Sequence, residues 1–314
     1  MKVLVTGGSG FLGVNLINKL SNKNNYEVFS IDKKVLNPKL ISNYQAVNNY
    51  KLNLNNRNLI NLLEEINPDI IFNLAAESQV LRSSDNPIET YKSNIFGSLN
   101  LFDSIRKLEI NPKIVHASTD KVYGISDNLP YQEDHKLYSN FTYDISKISA
   151  DLIAQNYKII YGLDITLFRS SNIYGPADFN YDRLIPHIVK SLIKNEAPIF
   201  RSNGRYLREY IFVDDLIKFI IMLTNNKKKE FIFNLGSGET LSVNEVYTNI
   251  STIFGSAIKP VVLNNKLNEI PEQKIDSRKF IKTYNPKFQL TKFDQGISKT
   301  IAWYKDFYQK NYSF

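Results

Sequence analysis

The sequence predicts an α/β protein, a doubly wound parallel sheet with a smaller, discontinuous α/β C-terminal lobe. Three observations carry this. Short β-branched runs alternate with longer amphipathic stretches through the first half, the pattern of successive strand–helix–strand units. A glycine-rich turn follows the first run at once and opens an amphipathic helix. The second run ends in an acid, Asp32. At 314 residues the chain also exceeds the roughly 100–200 residues usual for one domain, so two lobes are expected.

Val3–Thr6 reads as the first strand. Phe11–Leu20 follows as a helix, with Phe11, Leu12, Val14, Leu16, Ile17 and Leu20 at the spacing of one face. Glu27–Ile31 is the second strand, and a short third lies near Tyr50–Leu52. A helix over Leu59–Ile66 leads to a buried strand, Asp69–Leu74, and then a long helix covers Ile88–Leu108. Lys113–Ala117 is strand five, Tyr143–Tyr161 a helix, and Asp164–Arg169 strand six. Beyond that point the rhythm loosens. Arg183–Lys194 and Asp214–Leu223 read as helices, the latter capped by Asp214. Glu209–Val213 is a short strand, and Glu230–Asn234 a strand that returns to the main sheet. Helices near Val243–Phe254, Ser277–Lys282 and Ile297–Tyr308 complete the chain. Residues 1–169 with returning segments 207–235 therefore form one lobe, and 170–206 with 236–314 the other.

Composition narrows the function. With 43% hydrophobic and 22% charged residues, wholesale disorder is excluded. The absence of Cys excludes a disulfide scaffold, a Cys-ligated zinc site and a thiol nucleophile. Three scattered His (His116, His135, His187) argue against a His-rich metal site. No apolar run approaches the roughly 18–20 residues that span a bilayer. MKVLVTGGSG enters a strand directly, with no room for a signal peptide. A soluble, cytoplasmic protein is expected. The net charge of +8 comes from Lys dispersed among Asn and Ile, with its densest run, Lys227-Lys228-Lys229, in a surface turn. It reads as compositional bias rather than a nucleic-acid face, and is compatible with a modest field around an anionic ligand.

Gly7, Gly10 and Gly13 form G-x-x-G-x-x-G between strand one and the first helix. Glycine is required where a turn needs positive φ and where backbone approaches a pyrophosphate closely, while the helix N-terminus directs its N–H groups at the phosphates. Asp32 is placed to accept hydrogen bonds from an adenosine ribose. Its charge repels a 2′-phosphate, which favours NAD over NADP, although Lys33 and Lys34 offset this in part. The expectation is a Rossmann-type NAD-binding lobe.

Tyr143 and Lys147 form Y-x-x-x-K, one helical turn apart on one face. An ammonium beside a phenol lowers the phenol pKa, making Tyr a usable base near neutral pH. Strand five runs into Ser118-Thr119-Asp120-Lys121-Val122-Tyr123-Gly124. Ligands bind at the carboxyl ends of parallel strands, so a hydroxyl, a carboxylate and an amine delivered there make an acid/base cluster. The simpler alternative is that Thr119 and Asp120 only cap the strand.

TGGSGFLG, NLAAES, STDKVYG, YDISK, RSSNIYGP and REYIFVDD occur in the order seen in the extended short-chain dehydrogenase/reductase superfamily, with NLGSGETLSVNEV and TIAWY extending the likeness over nearly the whole chain. More narrowly the chain resembles nucleotide-sugar 4,6-dehydratases of the CDP-glucose group, through STDKVYG, Ala150–Gln155 and Asp182–Pro186. Epimerases of the superfamily usually carry Ser with a small or neutral pair where this chain has Thr119-Asp120-Lys121. The resemblance implies that Tyr143 takes the C4 hydroxyl proton, Lys147 holds the cofactor ribose, and Thr119 orients the C4 oxygen. It further implies Asp120 as the acid that helps the C6 hydroxyl leave and Lys121 as the base at C5. The dTDP-glucose branch has Glu in that place, so Lys121 as a phosphate or hydroxyl ligand stays open.

By the same resemblance NAD is held by Gly7, Gly10, Phe11, Leu12, Gly13, Asp32, Lys33, Asn53, Leu54, Leu74, Ala75, Ala76, Tyr143 and Lys147. The nucleotide sugar is met by Glu77, Ser78, Arg82, Asn172, Arg183 and Arg208, with Arg205 as an alternative to Arg208. Arginine suits a diphosphate because its donors are planar and bidentate. A homodimer through the helices near Ile88–Leu108 and Tyr143–Tyr161 is implied as a four-helix interface. The chain departs from the family at Asn53, often Asp, and at Asn268–Lys274, which has no Arg. The nucleobase therefore stays open among CDP, GDP, UDP and dTDP. A 4-epimerase with the same Tyr/Lys pair, and a non-catalytic NAD-binding regulator, are the competing readings.

Overall fold

A computed structural model describes residues 1–226, 229–264 and 270–311. Lys227 and Lys228 of the lysine run, and Asn268 and Glu269 of the Arg-free stretch, lie outside the described residues.

The chain opens with β1 (Lys2–Thr6), α1 (Phe11–Ser21), β2 (Glu27–Asp32), β3 (Val47–Lys51), α2 (Leu59–Ile66) and β4 (Ile70–Asn73). α3 (Val80–Asp85), α4 (Pro87–Tyr91), α5 (Gly97–Lys107), β5 (Lys113–Thr119), α6 (Thr142–Tyr161) and β6 (Ile165–Ser170) follow. Next come β7 (Asn172–Tyr174), α7 (Leu184–Ile193), β8 (Ile199–Phe200), β9 (Leu207–Phe212), α8 (Val213–Leu223) and β10 (Ile232–Leu235). The described chain ends with β11 (Thr240–Ser242), α9 (Val243–Phe254), β12 (Val261–Val262), β13 (Glu272–Gln273), α10 (Arg278–Tyr284) and α11 (Phe293–Asn311).

Two compact units result. The first comprises 1–124, 133–170 and 217–233, the second 125–132, 171–216 and 234–314. In the first, the strand order is β10-β6-β5-β4-β1-β2-β3, and the pairs from β3 to β6 are parallel. The fold is a Rossmann-type doubly wound sheet, whose order reverses between β1 and β4. Ligand crevices form outside the strand ends at such a reversal. β4 and β6 are buried along their whole length, as central strands of a parallel sheet are, and β6 buries Thr166, Arg169 and Ser170 along with its apolar residues. Leu4, Ile31, Leu59, Leu63, Ile71, Leu101, Phe102, Ile114 and Ile165 belong to the core cluster of this unit.

The second unit is organised around β9, which pairs with β7 and β13 in parallel and β11 antiparallel. This pairing explains why residues 207–216, expected with the first lobe, cluster with the second. The buried Glu209 carboxylate accepts from the backbone N–H groups of Gly238 (2.7 Å) and Ile275 (2.8 Å), tying three segments of the unit together.

Two further expectations change. The Ile88–Leu108 helix is not uniform: α4 passes through a π-helical segment, Lys92–Phe96, before α5. A π turn inserts one residue into the helical register, and here it accompanies an inward-facing Asn94. Asp214 does not cap a helix from outside. β9 runs straight into α8, so Asp214 and Asp215 lie in its first turn, near the positive end of the helix dipole.

Candidate active site

Gly7 follows β1 with φ 72°, a conformation that penalises a side chain, and its N–H donates to Ile31 O at 2.8 Å. A Cβ there would lie 2.7 Å from Ala75 N, so the turn presses directly on the segment after β4 that contains Leu74, Ala75 and Ala76. Gly13, in the first turn of α1, approaches as closely: its Cβ would sit 2.2 Å from Gly7 O. Gly10 is the residue before α1, and it offers no side-chain cap. With no acid in the first turn either, the N–H end of α1 at Phe11 and Leu12 suits an anion. Asp32 Oδ2 accepts from Ser9 N at 3.1 Å and Oδ1 from Lys34 N at 2.9 Å, which holds the carboxylate beside this turn. These donors, the close glycine approach and the acid together fit the pyrophosphate and ribose of NAD.

Lys33, Asn53, Glu77 and Arg82 line one polar pocket together with Asn55 and Thr90. Glu77 reaches Arg82 at 3.5 Å and Lys33 at 3.9 Å. Glu77 and Arg82, expected at the sugar, thus share a pocket with two residues expected at the cofactor. Ser78 is exposed. The Leu54 side chain is buried in the core, and its carbonyl accepts from Asn100.

On α6, Tyr143 and Lys147 are both buried, and Lys147 Nζ donates to Ala117 O at 2.6 Å. Burial lowers Lys147 to about 8, against the opposing pull of Asp151. Thr119 ends β5 and caps the short 3-10 turn Asp120–Tyr123, accepting from Lys121 N at 3.4 Å. Its hydroxyl donates to Asp120 Oδ1 at 3.2 Å. Asp120 is buried and Lys121 half-buried. His116, in the middle of β5, contacts Asn73 through Nδ1 at 2.9 Å. Burial pushes its pKa down to about 3, so it is neutral there.

Two residues that the sequence reading passed over belong to this cluster. Asp144 is buried, accepts from Ser139 Oγ at 2.7 Å, and feels the charges of Lys121 and Asp120. Asn94 accepts from Glu77 N (2.6 Å) and donates to Glu77 O (3.0 Å) and Ser146 Oγ (2.8 Å). Ser146 Oγ in turn donates to Tyr143 O at 2.6 Å. A polar chain thereby links the loop after β4 to the first turn of α6. The available signal was an Asn at a buried position of an otherwise amphipathic helix.

Asn172, Arg183 and Arg208 belong to the second unit. There Asn172 Nδ2 donates to Glu209 O at 3.2 Å, Arg183 pairs with Asp178 at 3.1 Å, and Arg208 donates to Leu207 O at 2.8 Å. Among the described residues, no group of three or more His, Cys, Asp or Glu could hold a metal ion.

The model of the NAD dependent epimerase/dehydratase family matches residues 3–236. A UDP-glucose 4-epimerase of Mycolicibacterium smegmatis is 25% identical over 98% of this chain and 99% of its own. The dTDP-glucose 4,6-dehydratase of Bacillus anthracis, solved with NAD, is similar with a TM-score of 0.85 and 27% identity over 98% of this chain and 97% of that one. A UDP-N-acetylglucosamine 4-epimerase from Methanobrevibacter ruminantium, solved with UDP-N-acetylmuramic acid, gives 0.88 and 25% identity over 97% and 98%.

Proposed function

Because this chain belongs to the NAD dependent epimerase/dehydratase family, we propose that it is a nucleotide-sugar 4,6-dehydratase. It would convert an NDP-hexose, CDP-glucose foremost, into the NDP-4-keto-6-deoxyhexose and water. The supporting observation is the buried Asp120 beside Lys121 at the end of β5, within the electrostatic reach of Asp144. Epimerisation needs only a base for the C4 hydroxyl. Expelling the C6 oxygen needs an acid and a second base as well.

In this reading Gly7, Gly10, Gly13 and the N–H groups of Phe11 and Leu12 hold the pyrophosphate, and Asp32 and Lys147 the two riboses. NAD held there would supply the hydride acceptor for C4 and the hydride donor for C6. Tyr143 takes the C4 hydroxyl proton, eased by the adjacent Lys147 charge, while Thr119 hydrogen-bonds the same oxygen. The new carbonyl acidifies C5, and Lys121 removes that proton. Asp120, protonated, gives its proton to the departing C6 hydroxyl, which leaves as water. Lys121 then returns a proton to C5, and the proton taken by Tyr143 makes good, through solvent, the one Asp120 gave up, so the sum is loss of one water. For the substrate, Arg183 and Arg208 are the diphosphate candidates by their planar donors, and Asn172 the polar contact.

A 4-epimerase is the second reading, supported by likeness to the M. smegmatis epimerase. It uses Tyr143 and Lys147 and leaves the C6 hydroxyl intact. Incubation with a panel of nucleotide-glucoses separates the readings by product. A 4-keto-6-deoxy sugar, seen by its alkali-induced absorbance, is expected. A 4-epimer would establish the second reading, and absence of turnover on every substrate would favour a regulator. Lys121→Met should then stop incorporation of solvent deuterium at C5; unchanged incorporation would move the base elsewhere.

A further inference from the structure

The Asp151–Arg169 pair lies fully inside the first unit, with side chains 0% and 1% exposed. Arg169 meets Asp151 through two parallel bonds, Nε to Oδ2 at 2.9 Å and Nη2 to Oδ1 at 3.0 Å. Asp151 also accepts from Ser118 Oγ at 2.8 Å and Gln155 Nε2 at 2.7 Å. Arg169 Nη1 donates to Tyr123 OH and Glu133 O, both at 2.9 Å. Such a pair is a weak source of stability, since desolvation offsets most of the attraction and apolar replacements are often as stable. Its placement says more. Asp151 lies one helical turn beyond Lys147 on α6, where side chains four apart are neighbours. Arg169 on β6 is in register with Ser118 on β5. Ser118 precedes Thr119, and Tyr123 closes the turn that carries Asp120 and Lys121.

We propose that this pair is a positioning device for the oxidation site: Asp151 is the counter-charge of Lys147, and the pair fixes, through Ser118 and Tyr123, the turn presenting Thr119, Asp120 and Lys121. The proposal rests on the reading of Tyr143 and Lys147 as the oxidation pair and is common to dehydratase and epimerase. Lys147 feels the charge of Asp151 on its own helix and acts on neutral His116 of β5; Tyr143 and Asp144 precede it by four and three residues on α6, and the Asp120–Tyr123 turn packs on the same helix. Burial drives the ammonium toward neutrality and Asp151 opposes this. Without the Asp151 carboxylate, Lys147 loses its proton nearer neutral pH, and the Tyr143 phenol loses the cation that eases its ionisation.

The test uses the holoenzyme and four variants: Asp151→Asn, Asp151→Glu, Asp151→Asn/Arg169→Gln and Tyr143→Phe. The last supplies the reference for tyrosinate absorbance, so that the ionisation of Tyr143 is read by difference without turnover. Asp151→Asn should lower kcat about ten- to a hundredfold with little change in KM. The alkaline limb of its pH profile should move down by about one unit and Tyr143 ionisation up. Asp151→Glu should restore both in large part. The double variant also removes the guanidinium that Asp151→Asn would strand, so it carries the test if Asp151→Asn fails to fold, and it should keep the displaced pH profile and phenol titration. A double variant with the parent's profile and titration would show the pair to be packing alone and overturn the proposal. If the parent turns over no nucleotide sugar, the oxidation reading fails, while the phenol titration still decides the role of Asp151.

Discussion

Burial pushes the Asp144 carboxyl up to about 6, assisted by Asp120 and opposed by Lys121 and the Ser139 hydroxyl. With a native pKa above its ordinary value, this group binds more protons folded than unfolded. Its favourable contribution is complete below the unfolded value of 3.8 and is lost as pH rises through about 6. Asp144→Asn keeps an acceptor for Ser139 and removes the charge. The variant should gain stability over the parent at about pH 8, on the order of 2–3 kcal/mol at most, and little at about pH 4. Urea unfolding at both pH values measures this, and a pH-independent difference would contradict it. The i, i+4 spacing of Tyr143 and Lys147 was legible in the sequence because helix geometry is local. That Asp144 also faces inward was not, because its environment is made by the Asp120–Tyr123 turn, 21 to 24 residues upstream.

The most demanding element is the β1–α1 turn, where Gly7 and Gly13 meet backbone on both sides. A methyl at Gly13 would lie 2.2 Å from Gly7 O and 2.7 Å from Gly8 Cα, and neither can swing aside as a side chain could. Gly13→Ala should destabilise the first unit by about 1–3 kcal/mol and weaken NAD binding at least about tenfold, since the same displacement moves the N–H groups of α1. Calorimetric NAD titration and the thermal midpoint check both; parent-like NAD affinity would show that the turn tolerates the shift. This element was readable because glycine spacing, strand and helix are contiguous in sequence. The π-helical segment at Lys92–Phe96 was not. Its apolar periodicity resembles an unbroken helix, and the register change becomes visible only with the bonds that Asn94 makes to Glu77 and Ser146.

For the molecule as a whole, α6 carries exposed Ile145, Leu152 and Ile159 seven residues apart, next to exposed Ile160, and Phe96 is exposed in the neighbouring helical stretch. Seven-residue spacing keeps such residues along one face. We propose this stripe as the contact face of the homodimer that the family resemblance implies. Leu152→Asp should shift the chain toward monomer in light scattering, leaving its far-ultraviolet dichroism intact; an unchanged mass would place any interface elsewhere.

Local sequence was enough to specify the Rossmann-type sheet, the glycine turn with Asp32, and the Tyr143–Lys147 spacing, because strand and helix periods and turn chemistry act over a few residues. What sits behind them depends on contacts between distant segments. Asp151, Arg169, Ser118 and Tyr123 are 18 to 46 residues apart along several of their contacts, and only the parallel packing of β5, β6 and α6 brings them together. Such contacts also moved residues 207–216 into the second unit, since strand partnership depends on distant pairing that no local pattern encodes.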